Sequence, residues 1–446
     1  MRTLYSISRV LQSGHQTSRD LVEESLQKIR DIDGQGKNAF VNVAEDDARL
    51  KADRVDHLRA QGIKLPQFSG IPISIKDLFD TKGEVTRAGS KVLEDCPPAE
   101  RDAMAVTRLR AAGFIVIGRA NMNEFAYSGL GINNNTGTPL NPYDRKNGRI
   151  PGGSSSGGAV GVADGMVVAT LGSDTGGSCR IPAAFCGIVG FKPTSSRVPK
   201  AGSIPLSKTL DSIGPLANSV ACCEDLDSCL SGDTATHAVP EISSLSFAIP
   251  DSYLLDDLDG DVSKAFEKAV EKLALAGAKV KKIDTKILAE LPHVNRMGGI
   301  VGAEAFNWHK RHLEQKGDLY DPWVKSRFPA GASQTAADFI ELLEHRQRIR
   351  KTMSQKTRPF DAVLLPTVSI IPPLVKTLVD QDIITSTNLK VLRNTSVANF
   401  LDRDALSIPC HEPSAAPVGF MLMGNGDTDR KLLAVGRTVE ALIRHY

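Results

Sequence analysis

Hydrophobic positions near the start of the chain recur at helical spacing. Leu21, Val22, Ser25, Leu26 and Ile29 share one face, and Thr17 can cap a helix running through about Asp31. A second helix is predicted around Ala44 to Gln61. After Pro66 the pattern changes to short apolar runs bounded by Gly and Pro. Gly70-Ile71-Pro72-Ile73-Ser74-Ile75 alternates as a strand does, which puts Lys76 near a strand end. A helix from about Ala103 to Ala112, closed by Gly113, leads into the strand-like Phe114-Ile115-Val116-Ile117. The stretch 129–160 is almost free of bulky apolar residues. Gly, Asn, Ser and Thr dominate it, so it is predicted as loop.

Beyond Gly214-Pro215 the chain returns to an α/β rhythm, with a strand at Leu245 to Ile249, a helix near Val262 to Ala276 and a strand at Lys279 to Ile283. Residues 294–357 read as mostly helical. Ala362 to Pro366, Ala405 to Pro409 and Val418 to Met423 read as buried strands, and an amphipathic helix covers about Thr428 to Arg444. No internal repeat or linker-like break interrupts the pattern, so residues 1–446 are expected to form one large α/β domain whose two ends share a sheet.

Composition narrows the function. The 446 residues carry 54 Lys+Arg against 52 Asp+Glu, a net charge of +2, which leaves no footprint for a nucleic-acid partner. No apolar run reaches the length of about 18 residues needed to span a membrane, and polar residues interrupt every apolar pair at the N-terminus, unlike a signal peptide. The seven cysteines (Cys96, Cys179, Cys186, Cys222, Cys223, Cys229, Cys410) are odd in number and scattered, as in a reduced, cytoplasmic protein.

The chemistry concentrates in Pro151-Gly152-Gly153-Ser154-Ser155-Ser156-Gly157-Gly158 and Asp174-Thr175-Gly176-Gly177-Ser178. Glycine pairs let backbone N–H groups turn toward a ligand, as an anion or oxyanion cradle requires, and the hydroxyl after each pair can face that cradle. A phosphate loop would need Lys-Ser/Thr after Gly157-Gly158, and Ala159 stands there instead. Nucleophilic catalysis by a serine fits better, and no histidine neighbours either element in sequence.

These residues, with Arg180-Ile181-Pro182-Ala183-Ala184-Phe185-Cys186-Gly187, Gly190-Phe191-Lys192-Pro193-Thr194, the segment Gly70 to Asp77 and the block Asn121-Met122-Asn123-Glu124-Phe125-Ala126, resemble the amidase signature family. Dense matching covers about 68–216, and the divergent stretch 217–393 is expected to shape the substrate pocket. The resemblance implies a central mixed, twisted β-sheet covered by helices on both faces. It further implies a Ser-Ser-Lys triad in which Ser178 is nucleophile, Ser154 relay and Lys76 base. A lysine can serve only if its pKa falls from about 10.4 toward neutrality, a differential stabilisation of about 4 kcal/mol that burial supplies in the right direction. Also implied are a cis peptide before Ser154 and an oxyanion hole from the backbone N–H groups of Thr175, Gly176, Gly177 and Ser178. Asp174 and Arg180 would brace the loop and Ser155 would support it. Cys179 reads as a small buried group. His309 and His312, among Lys310 and Arg311, read as a solvated basic face, and His411 as a residue either near the site or at the surface. Cys222, Cys223, Cys229 and the isolated His237 lack metal-ligand spacing, so neither metal nor cofactor is expected.

The expected reaction is hydrolysis of small neutral amides through an acyl-enzyme. An anionic acyl group would raise the pKa of Lys76 and slow it. Met122, Phe125 and Tyr127 are expected to form an apolar wall near the triad, with Asn133, Asn134 and Asn135 offering amide groups beside it. The alternatives are the A subunit of a glutamine-dependent tRNA amidotransferase, which usually has glutamine where this chain has Ile181, and a carbamate or urea-type hydrolase of the same family. A binding module that merely holds an anion would not need Lys76, Ser154 and Ser178 together. A homodimer is left open.

Overall fold

A computed structural model of the chain describes residues 3–444. Eleven strands form one sheet: β1 Phe40–Val43, β2 Pro72–Lys76, β3 Ile115–Ala120, β4 Ala169–Asp174, β5 Val189–Lys192, β6 Ser212–Ala217, β7 Ser246–Pro250, β8 Lys279–Ile283, β9 Ala362–Pro366, β10 Ala405–Pro409 and β11 Gly419–Met423. Their spatial order is β1-β3-β2-β4-β6-β5-β10-β11-β9-β7-β8. The sheet is mixed: β2 runs parallel to β3 and β4, whereas β4 and β5 run antiparallel to β6. The pairing of Ala405 with Lys192 and Ser407 with Gly190 joins β10 to β5, so strands from both ends of the chain complete one sheet.

Strands β2, β4, β5, β6 and β9 to β11 are buried along their whole length, as expected where helices cover both faces. On one face Ile73, Ile75, Leu171, Phe191, Leu406 and Phe420 meet Leu433 and Val439 of the C-terminal helix Asp429–Ile443. On the other, Ile115, Ile117 and Leu216 meet Ala159 and Val160 of helix Ser156–Ala163 and Ala183 of helix Arg180–Cys186. Because side chains alternate along a strand, Ser74 and Lys76 project opposite to Ile73 and Ile75. At the two margins lie β1 and β8, and β8 carries lysine at three of its five positions.

Thr17 caps Ser18–Arg30 through a capping box with Asp20, and the predicted β8, β9 and β10 fall on their predicted residues. The stretch 129–160 departs from its predicted loop, because helix Ser156–Ala163 begins inside it. The same glycines that argue against a helix by propensity are required by its packing. A Cβ on Gly157 would lie 2.1 Å from the Ala39 carbonyl oxygen and 2.6 Å from the Asn121 nitrogen, and one on Gly158 would lie 2.7 Å from Thr170.

Gly157→Ala therefore forces two backbone segments apart, and we expect a loss of about 1–3 kcal/mol despite the better helix former. Urea unfolding measures it; an unchanged or raised midpoint would contradict the close approach.

Candidate active site

Lys76 closes β2 and is 1% exposed. Its Nζ lies 2.7 Å from Ser154 Oγ and 2.9 Å from Ser173 Oγ, both buried, and among the described residues no carboxylate pairs with it. Burial lowers its pKa from 10.5 to about 8, against the opposing pull of Asp174 and Asp211.

Ser154 follows a cis peptide bond from Gly153. The Gly153 N–H donates to the Gly129 carbonyl at 2.8 Å, and the Ser154 carbonyl accepts from the Asn123 N–H at 3.2 Å. A Cβ at 153 would sit 2.0 Å from Asn123 Oδ1, so this position excludes other residues. The two Gly-Gly-Ser elements meet through the Ser155 N–H, which donates to the Ser178 carbonyl at 3.2 Å. The Ser155 hydroxyl reaches the Ser173 carbonyl only at 3.5 Å.

Ser178 lies in the turn between β4 and helix Arg180–Cys186, 3% exposed. That turn is built around the Asp174 carboxylate. Oδ1 accepts from the Gly177 N–H (2.8 Å), Arg180 Nη2 (2.9 Å) and Asn399 Nδ2 (2.9 Å); Oδ2 accepts from the Cys179 N–H (3.0 Å) and Arg180 Nε (3.0 Å). Burial alone would raise the Asp174 pKa, but the Arg180 guanidinium outweighs it and holds the carboxyl at about 2. Both side chains are 0% exposed. Gly177 has φ +136°, and a Cβ there would lie 2.2 Å from Thr395 Oγ1. Thr395 Oγ1 donates to the Gly176 carbonyl at 2.6 Å, and Thr175 Oγ1 donates to Asp211 Oδ1 at 2.5 Å. Burial raises the Asp211 pKa to about 6.

Of the four amides expected to face an oxyanion, the Gly177 N–H is already committed to Asp174. Among the described residues the N–H groups of Thr175, Gly176 and Ser178 have no acceptor. Cys179 is fully buried, and burial pushes its thiol far up.

Met122, Phe125 and Tyr127, expected to form an apolar wall, are all buried. Met122 and Phe125 are core residues, Phe125 packing against Trp308, His309 and Tyr320 with centroids 5.8, 4.4 and 5.4 Å away. Tyr127 packs on Phe328 at 5.5 Å. The three asparagines are spent on the fold: Asn133 Nδ2 donates to the Gly89 and Met122 carbonyls, Asn134 Nδ2 to Asp321, and Asn135 Nδ2 to Glu124. Contrary to a solvated basic face, His309 is 0% exposed and its Nδ1 pairs with the Tyr320 hydroxyl at 2.7 Å. Helix Gly299–Lys316 exposes Lys310 and Arg311 but turns His309 inward, and burial lowers its pKa to about 3. His411 is half-buried against the Val418 backbone.

Sequence reasoning did not single out Ser173, Asn123, Asp211 or Asn399. Ser173 directly precedes the Asp174 to Ser178 element and is detectable by that place. Asn399 approaches from 225 residues away and had no local signal. Among the described residues no group of three or more His, Cys, Asp or Glu side chains could hold a metal ion, and no helix is long and apolar enough to cross a membrane.

The amidase family model matches residues 20–433. The chain belongs to the amidase signature family. It is therefore an enzyme acting on the carbon–nitrogen bonds of amides. The 2-amino-5-chloromuconic acid deaminase of Comamonas testosteroni is 34% identical over 404 residues, covering 89% of this chain and 86% of the relative. One of the subunits of the glutamyl-tRNA(Gln) amidotransferase of Pseudothermotoga lettingae is 34% identical over 459 residues, covering 94% and 93%. A crystal structure of an amidase superposes with a TM-score of 0.90 at 32% identity, covering 99% of this chain and 100% of that one.

Within this amidase fold Asp174→Ala strands the Arg180 cation in a fully buried site and removes the acceptor that shapes the Gly177 turn. We expect a loss of about 3–5 kcal/mol, read by chemical denaturation. A loss below about 1 kcal/mol, the scale of an exposed pair, would show that the pair does not hold this turn.

Proposed function

We propose that this protein hydrolyses small amides through an acyl-enzyme formed on Ser178, with Ser154 as proton relay and Lys76 as base. The observation that carries the reading is a buried lysine with no carboxylate partner among the described residues, 2.7 Å from Ser154. A neutral amine has two N–H donors and one lone pair. Donating to Ser173 at 2.9 Å leaves its lone pair to accept the Ser154 proton. Ser154 in turn accepts the proton of Ser178 as its oxygen attacks the amide carbon. The tetrahedral oxyanion is held by the acceptor-free amides of Thr175, Gly176 and Ser178. On collapse Ser154 returns a proton to the leaving nitrogen, and water then cleaves the ester by the same route in reverse, releasing the acid. Release of ammonia from glutamine for a partner enzyme would use the same steps. Ile181 in place of the glutamine common in those subunits favours a free-standing hydrolase.

Incubation with a fluorophosphonate should add one adduct, mapped to Ser178 by mass spectrometry. Ser178→Ala should abolish labelling and turnover, whereas Ser154→Ala should leave slow labelling. An adduct on Ser154 would reverse the two roles.

The pH dependence follows from Lys76. Its protonated form is inactive, so kcat/KM should rise about tenfold per pH unit below its pKa and level off above about 8. A profile flat from pH 6 to 9 would exclude Lys76 as the base. The folded-state pKa lies below the ordinary value of 10.5, so the burial cost is fully present below pH 8 and disappears above about 10.5. At pH 7 that cost is about 3 kcal/mol. Lys76→Met should therefore be inactive yet no less stable than the parent at pH 7 by thermal unfolding, its advantage shrinking as pH rises. A clear loss of stability would refute this account.

A further inference from the structure

The amides of Thr175, Gly176 and Ser178 lack acceptors, and donors left bare must be held in place through other bonds. For Thr175 those bonds are visible. Its N–H shares a trans peptide plane with the Asp174 carbonyl, so whatever fixes that oxygen aims the N–H the opposite way. The carbonyl accepts from Ser212 Oγ at 3.1 Å and from Asn399 Nδ2 at 3.0 Å. The Thr175 hydroxyl donates to Asp211 Oδ1 at 2.5 Å. Asp211 directly precedes Ser212, which opens β6 opposite Asp174, so two successive residues grip the Thr175 peptide from its carbonyl and from its side chain.

The Asp211 carboxylate is itself held. It is buried, its Oδ2 accepts the Leu206 N–H at 3.1 Å, and the Ser207 N–H lies 3.1 Å from both of its oxygens. The loop that carries those two donors is anchored to helix Gly299–Lys316 by Glu304, whose carboxylate accepts from the Ser207 hydroxyl, the Thr209 hydroxyl (2.6 Å) and the Thr209 N–H (3.0 Å). Lys200 Nζ donates to the Asp211 main-chain carbonyl at 3.1 Å and not to the carboxylate. A desolvated charge satisfied only by neutral donors is costly, and an amide side chain would offer one oxygen where three donors converge. We infer that Asp211 is a positioning residue for the reaction, acting through Thr175 to aim one amide of the oxyanion hole before substrate arrives. This rests on the acyl-enzyme reading above and adds to it a residue that touches neither substrate nor the reacting atoms.

Burial lowers the Lys76 pKa while the Asp211 charge pulls the other way. Removing that charge would therefore help the base, shifting the pH profile to lower pH with its plateau unchanged, whereas a misaimed amide lowers the plateau itself. The experiment measures the rate of fluorophosphonate labelling at Ser178 from pH 6 to 10 in the wild-type protein, Asp211→Asn, Thr175→Val, the double variant and Thr175→Ser. On the alkaline plateau, where Lys76 is neutral, Asp211→Asn and Thr175→Val should each slow labelling roughly 10- to 100-fold, through the limiting rate constant and not through reagent affinity. The double variant should be no slower than the slower single one, because both changes break the same bond. Thr175→Ser, which keeps the hydroxyl, should recover most of the rate. Thermal unfolding reports which variants are folded; should Asp211→Asn not fold, the comparison of Thr175→Val with Thr175→Ser decides alone. With wild-type labelling intact, an unchanged plateau in Thr175→Val, or single losses that multiply in the double variant, overturns the proposal and leaves the acyl-enzyme reading standing. Absence of an adduct on wild-type Ser178 overturns that reading and the proposal with it.

Discussion

An amine held dry beside hydroxyls instead of carboxylates is the constraint around which this protein is arranged. Taking Lys76 out of water disfavours its charged form, and a paired carboxylate would restore that charge. Both acidic groups near it are occupied elsewhere. Asp174 is saturated by Arg180, Asn399 and two backbone amides, and Asp211 by Thr175 and the amides of Leu206 and Ser207. Among the described residues only Ser154 and Ser173 face the amine at hydrogen-bonding distance. The carboxylates thus shape the backbone around Ser178 while leaving the lysine's basicity to burial.

This arrangement requires the whole chain. Lys76 comes from β2, Ser173 and Asp174 from β4, and Asn399 from a helix that reaches the turn only because β10 pairs with β5. Helix Gln381–Leu401 contributes three times along its length, with Asn388 on segment 127–129, Thr395 on Gly176 and Asn399 on Asp174. The signature residues supply the buried lysine and serines, and this distant helix braces the backbone that carries them.

What could be read from the sequence followed physical locality. Strands such as Ala362–Pro366 and Ala405–Pro409 announce themselves because burial on both faces demands an unbroken apolar run. Ser154 and Ser178 stand out because a glycine pair precedes each, whereas Lys76 is singled out only by the resemblance of its segment to the amidase signature family. Helix Ser156–Ala163 was hidden for the opposite reason: its glycines answer to neighbours outside the helix, Thr170 on β4 and the sequence-distant Ala39, and not to their own helix. His309 misled in a related way. Its charged neighbours Lys310 and Arg311 suggested solvent, whereas the helix phase alone decides which face a residue takes. Asn399 has no local pattern, and its environment arises only once the chain is folded.

The outermost strand β8, Lys-Val-Lys-Lys-Ile, has a consequence for how copies of the enzyme can meet. One edge of β8 bonds to β7, and the other ends the sheet with backbone groups suited to receiving another strand. Lys279, Lys281 and Lys282 place a dense positive row along that rim. Two such rims brought together would repel, so the charge discourages edge-to-edge continuation of the sheet from one molecule into the next. Self-association that keeps the fold intact is then steered toward helical surfaces, and the eleven-stranded sheet is shielded at this edge from the pairing that begins aggregation.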